Sequence, residues 1–419
     1  MTPTPTKTRV RGARGRGARD LVCLVTVLSC LPYLTLKAVW ICGGEVGIPA
    51  GSVLLDPDHA GVMRAANALT LLMDAAVIAL ALLFTRPWGR RAPVWLPVLP
   101  AWLATGLLAP IVVGLPLTLG LDAAGAGGAA GEQAAEDGRF LADWVFGLVY
   151  GGFTVQALAL GALFVPYVRE RWGHLWRGRT GDLRHGATGP ALRAAALGAL
   201  LLSLLPLTTN ALWAGGATVG LSAGAAADAG AGLYARSAGN VLFLLAAVGG
   251  LLALARPRGR RGGGAGGGTD RAGGTAGGGG VRLAVPLGLA WTGSGATACW
   301  GGWMMLGALA VGEAAERPTP LMSLTYAVQM TVGLVVVTAG AHLLAERAAQ
   351  SPEPFSASAR AEGGNGADGE RRTEPGTDPR DGWRAAGAGT GTVTLRQPIA
   401  SARAETVPHG AGGGVRRTG

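Results

Sequence analysis

Apolar residues come in blocks of about 20, the length at which a helix rising 1.5 Å per residue crosses a hydrocarbon core of ~30 Å. Eight such blocks lie at roughly 21–42, 63–84, 94–118, 140–165, 191–213, 238–255, 283–311 and 321–344. In lipid an unpaired backbone amide costs several kcal/mol, so each block is expected to be helical. The chain therefore reads as an all-α polytopic membrane protein. Its 49% hydrophobic and 15% charged residues argue against two or three soluble domains.

Where the charge sits carries more information than its sum of +11. Arginines gather at alternate ends of the blocks: Arg9 to Arg19, then Arg86, Arg90 and Arg91, then Arg169 to Arg184, then Arg256 to Arg282. The intervening connections carry acid instead, including Glu45, Asp56, Asp122, Glu136, Asp228 and Glu313. Under the positive-inside rule this alternation places both termini in the cytoplasm of a plasma-membrane protein with eight spans. It also reads the net charge as topology, with the lipid bilayer as partner and no nucleic acid. The basic segment before Leu21 resembles the start of a signal peptide. The chain stays apolar through LPYLTLKAVW, however, where a cleaved leader would turn polar.

The chain also repeats itself. RPWGRR at 86–91 and RPRGRR at 256–261 each follow an apolar block. LSCLPYLTLKAVWICGGEVG at 28–47 matches LSLLPLTTNALWAGGATVG at 202–220 with one gap, pairing Pro32 with Pro206 and Trp40 with Trp213. Asn67 pairs with Asn240, PVLPAWLATG at 97–106 with PLGLAWTGSG at 286–295, and Tyr150 and Glu170 with Tyr326 and Glu346. Four matches in one order predict two tandem four-helix repeats. Each half has an even number of spans, so the repeats are parallel, related by an axis along the membrane normal. The expected organisation is a basic cytoplasmic segment 1–20, repeats over 21–185 and 186–345 with a Gly-rich loop 256–282 in the second, and a disordered cytoplasmic tail over 346–419.

Polar residues inside the blocks are the candidate sites. Asp74 falls near the middle of its block, where a lone carboxylate costs ~2.5–3.5 kcal/mol and so is expected to be protonated, hydrated or paired. Lys37 is close enough along its own block to reach it. In the second half Lys37 aligns with Asn210 and Asp74 with Ala247, so both charges vanish together, as a mutual ion pair predicts. Lys37, Asp74, Asn67, Asn240 and Asn210 form the expected substrate or ion path, with the two equivalent asparagines also able to bridge helices. The alternative is that Lys37 snorkels and Asp74 packs as a neutral acid. Trp40 and Trp213 read as an interfacial aromatic belt, and Gly151, Gly152, Gly301 and Gly302 as points of close helix approach.

No HExxH, GxSxG or Walker loop occurs, and the four cysteines form no CxxC pair. No catalytic residue, metal ligand or cofactor is expected, and the chain does not read as an enzyme. The Arg-rich N-terminus, PYLTLKAVWICGGEVG at 32–47 and the eight-block layout over 21–345 resemble uncharacterised multi-pass membrane proteins of high-GC actinobacteria. That resemblance implies no substrate. The leading expectation is a transporter or permease-like protein with a path between the repeats. The alternative is a non-transporting sensor, scaffold or accessory subunit whose Arg-rich loops and tail recruit anionic lipid or cytoplasmic proteins.

Overall fold

The computed structural model describes residues 8–49, 52, 60–125, 141–183, 186, 188–256, 280–308 and 317–350, with no side-chain account of 8–16, 60, 62, 63 and 143. Residues 257–261 of the second hexapeptide, most of the Gly-rich loop and the tail beyond Gln350 lie outside the described residues. So does all of a second unit, Glu353–Gly419; everything below belongs to the unit Met1–Pro352.

Among the described residues of this unit there are eight long helices: α1 (Thr8–Ile41), α2 (Ala60–Thr85), α3 (Trp95–Ala123), α4 (Asp143–Trp172), α5 (Gly189–Ala214), α6 (Ala231–Ala255), α7 (Ala284–Ala308) and α8 (Pro320–Gln350). No strand occurs among the described residues; the one β-bridge joins Arg179 and Arg282. All of these helices except α7 are long and apolar enough to cross a membrane, seven in all, consistent with an integral membrane protein. Leu24, Leu72, Leu103, Leu158, Leu201 and Leu242 lie exposed on their surfaces, as lipid-facing side chains would.

Helix α7 reads AVPLGLAWTGSGATACWGGWMMLGA, without a charge but diluted by Gly, Ser and Thr. Its position explains the composition. It packs against α3, α6 and α8, and Ser294, Thr297 and Ala296 are almost wholly buried. A helix whose middle turns are enclosed by other helices needs small residues there more than greasy ones, because close backbone approach replaces contact with lipid. A Cβ on Gly293 would lie 2.3 Å from Ala247 N, and one on Gly301 2.7 Å from Tyr326 O.

Helices α1, α2 and α4 pack together, as do α5, α6 and α8, but α3 leaves its chain neighbours to pack mainly on α7 and α6. The α3–α7 crossing is reciprocal. Trp102 Nε1 donates to Ser294 Oγ at 3.1 Å, and Trp291 Nε1 donates to Thr105 Oγ1 at 3.3 Å. Between them Gly106 and Gly295 touch, a Cβ on Gly106 falling 2.4 Å from Gly295 O. Each tryptophan thus reaches the hydroxyl three residues beyond the other tryptophan, the exchange expected at a two-fold contact.

At the end of the bundle holding Arg19, the first hexapeptide forms a 3-10 turn, Pro87–Arg90. Arg171 donates to the carbonyls of Gly89, at 3.1 Å, and Ala92, while Tyr167 donates to Gly89 O at 2.8 Å. A side chain at Gly89 is impossible without rearrangement, since its Cβ would lie 1.8 Å from Leu83 O. Arg19 pairs with Glu170 across α1 and α4. Glu346 accepts from Thr188 instead.

Candidate functional site

Apart from Ser294 and Thr297 at the α3–α7 crossing, the buried polar side chains of the described residues fall into two groups, each inside one set of packed helices. In the first, Lys37 Nζ on α1 donates to Asn67 Oδ1 on α2 at 2.8 Å and lies 4.8 Å from the ring centroids of both Tyr33 and Trp40. In the second, Asn240 Nδ2 on α6 donates to Asn210 Oδ1 on α5 at 2.9 Å, and Asn210 Nδ2 donates to Pro206 O at 2.8 Å. Gln329 Nε2 on α8 adds a long contact of 3.4 Å to Asn240 Oδ1. One cross-helix bridge therefore occupies matching places in both groups, with a lysine in the first where the second has an asparagine.

The expected Lys37–Asp74 ion pair is not formed. Asp74 lies two helical turns beyond Asn67 on the same face of α2, about 10 Å along the axis, and the ammonium is held at Asn67 by a carbonyl oxygen and two aromatic faces. Asp74 instead meets the side-chain amide of Gln156 on α4. Both residues are buried, and Asp74 Oδ2 and Gln156 Oε1 have no donor among the described residues. Asp74 aligns with Ala247, and in the register that pairs Tyr150 with Tyr326, Gln156 aligns with Val332; both counterparts are 0% exposed. The polar residues that vanish together are therefore Asp74 and Gln156. Gln156 has no place among the residues expected from sequence to form the site; its shared loss with Asp74 is the signal that would have found it.

Two other expectations change. Burial pairs α1 and α5 at one constant offset: Thr26 with Ala199, Cys30 with Ser203, Lys37 with Asn210 and Trp40 with Trp213 are all buried. The letter match of Pro32 with Pro206 is one residue out of that register, and one residue turns a side chain by about 100°. Pro206 is accordingly buried and Pro32 exposed. The tryptophans are buried too, at 9% and 3% exposure, rather than set in a lipid-facing belt. Trp40 Nε1 donates to Val46 O at 2.8 Å and Trp213 Nε1 to Val219 O at 3.0 Å. Each clamps a turn whose glycines hold positive φ, Gly43 and Gly47 in one, Gly216 and Gly220 in the other.

A cavity of about 660 Å³ near these groups lies between α4 and α6 and is walled by α3, with Trp300 of α7 also lining it. Arg236, Tyr150 and Asn240 border it, and Phe243 joins it to a second cavity of about 250 Å³ farther along α3. Of the five residues expected to form a path, Asn240 lines this space. Lys37, Asn67 and Asp74 are gathered around the α1–α2 contact instead, and Asn210 faces a pocket of about 20 Å³, room for one water, together with Gln329 and Tyr326.

The glycines divide by role. Gly301 is pressed against α8, whereas Gly152 and Gly302 make looser contacts, and a Cβ on Gly151 would meet nothing within 4 Å because it faces the cavity. Cys23 and Cys30 are buried, and no group of three or more His, Cys, Asp or Glu able to hold a metal ion occurs among the described residues. Compared with known proteins, the chain matches no family model, no curated protein and no solved structure.

Proposed function

We propose that the chain is an eight-span plasma-membrane protein of two tandem, parallel four-helix repeats with both termini cytoplasmic, and that it works as a permease-like protein whose path runs between the repeats. The tandem reading is supported by the matching Lys37–Asn67 and Asn210–Asn240 bridges, the matching tryptophan clamps and the reciprocal Trp102–Ser294 and Trp291–Thr105 contacts. The transport reading is carried by one observation: the cavity of about 660 Å³ between α4 of one repeat and α6 of the other, bordered by Arg236, Tyr150 and Asn240. Duplicated helical units with polar residues at their seam are a common transporter plan.

The path on this reading follows the flank of α3 and not the pseudo-axis, because Gly106 and Gly295 close the axis by backbone contact. Reconstituted in vesicles, the wild-type chain is expected to carry solute or protons above the empty-vesicle rate under an imposed gradient. Gly239→Leu, which fills the cavity, is expected to abolish the excess. Wild-type flux no greater than that of empty vesicles under every gradient tested would remove the transport reading.

The closed axis favours a second reading, a sensor, scaffold or accessory subunit that recruits anionic lipid or cytoplasmic proteins through its Arg-rich connections and tail. Deleting 351–419 separates the two: the scaffold reading predicts loss of function, the permease reading predicts retention.

A further inference from the structure

The cavity between α4 and α6 is apolar along its length and carries a cation at one end. We propose that it holds one membrane lipid, with an anionic phosphate headgroup at Arg236 and an acyl chain lying along α3. This names the substrate class of the permease reading and rests on that reading only for the lipid's movement, not for its binding.

Shape and chemistry agree on the occupant. The two cavities share Phe243 and follow α3 from Ala101 to Thr118, about 26 Å at 1.5 Å per residue, more than the roughly 15 Å that one leaflet gives to a ~30 Å hydrocarbon core and so long enough to house an acyl chain. Beyond Arg236 the walls are largely apolar, with Ile111, Leu115, Phe243 and Phe164 among them, and the hydroxyls of Thr105 and Thr118 turn back to Ala101 O and Gly114 O, so a hydrated solute finds little to bond. Nor does protein close the space. Gly114, Gly147, Gly151, Gly232 and Gly239 all line it, and a Cβ on any of them would meet nothing within 4 Å. These glycines serve no helix contact; they keep a groove open in a molecule whose surroundings are lipid.

The headgroup charge follows from Arg236. It sits in the second turn of α6, makes no ion pair with a described residue, and shares its end of the cavity with the Tyr150 phenol and the Asn240 amide. A guanidinium there is stabilised by an anion, and its planar fork fits phosphate through two parallel hydrogen bonds. Tyr150 and Asn240 supply further donors.

The test uses the full chain in phosphatidylcholine nanodiscs containing a minor fraction of either phosphatidylglycerol or phosphatidylcholine brominated on its chains. Trp300 borders the cavity, and its emission is isolated as the difference between wild type and Trp300→Phe. Brominated phosphatidylglycerol is expected to quench that emission at about one tenth the concentration needed for brominated phosphatidylcholine, the preference expected of one charge-assisted pairing. Arg236→Gln is expected to erase the preference, and Gly151→Leu, whose side chain enters open space, to remove quenching by both lipids. Equal quenching by the two lipids in the wild type, or a preference that survives Arg236→Gln, overturns the proposal. Lipid preference without flux above empty vesicles would end the transport reading and leave the lipid site standing.

Discussion

Helices α6, α7 and α8 meet backbone to backbone, while α2, α3 and α4, their counterparts in the sequence match, do not. Four positions account for the difference. Gly250, Gly293, Gly301 and Gly333 each put their Cα within reach of a neighbouring main chain, so that an added Cβ would lie under 3.0 Å from it. The aligned residues in the first four helices are Val77, Ala104, Val112 and Ala157. Each is larger than its counterpart, and α3 stands off and turns to α7. Ala104, Val112 and Ala157 then line the second cavity. A few methyl groups thus separate a tight bundle from one with a groove, because helices in lipid are held by packing rather than by expulsion of water.

That account breaks most readily at Gly293. Gly293→Leu should cost about 3 kcal/mol, since its Cβ meets Ala247 N at 2.3 Å and backbone cannot yield as a side chain can. Ala104→Leu, at the aligned position bordering the second cavity, should cost under about 1 kcal/mol. Thermal unfolding of the two variants in detergent checks the contrast, and equal losses would refute it. The crossing comes next: Gly106→Val should cost about 2 kcal/mol, its Cβ being 2.4 Å from Gly295 O.

Smaller effects test the polar groups. Asp74→Asn supplies an N–H to a contact whose Asp74 Oδ2 and Gln156 Oε1 lack donors, so it should raise stability by about 1 kcal/mol in the same assay. A fall of that size would mean that the carboxyl is held by something other than Gln156. Trp102→Phe and Trp291→Phe each remove one hydrogen bond across the crossing, and each should cost about 0.6 kcal/mol. Unequal losses would show that the reciprocity is geometric but not energetic.

How much of this was legible in the sequence follows from what lipid demands. Block length is imposed by membrane thickness, so the helices stand near their expected places. The boundaries differ where helices pass beyond the apolar core, as α1 does from Thr8 and α8 does to Gln350. Rotation about each helix axis was not legible. One residue of slip in the α1 and α5 match moved Pro32 onto the wrong face, and reach along the chain alone favoured Asp74 over Asn67 as the partner of Lys37. Glycine was the least legible of all, because Gly151 and Gly301 are the same letter with opposite uses, one leaving space and the other closing it.

The reciprocal contact between α3 and α7 also bears on ancestry under the tandem reading. A crossing in which each side offers the other a tryptophan, a hydroxyl and a glycine reads alike from either direction, as the seam of a symmetric homodimer does. A lone four-helix ancestor could have doubled through that seam before its gene did. Fusion would then have freed one copy to gain glycines and the other to keep a crevice, a division of labour denied to identical subunits.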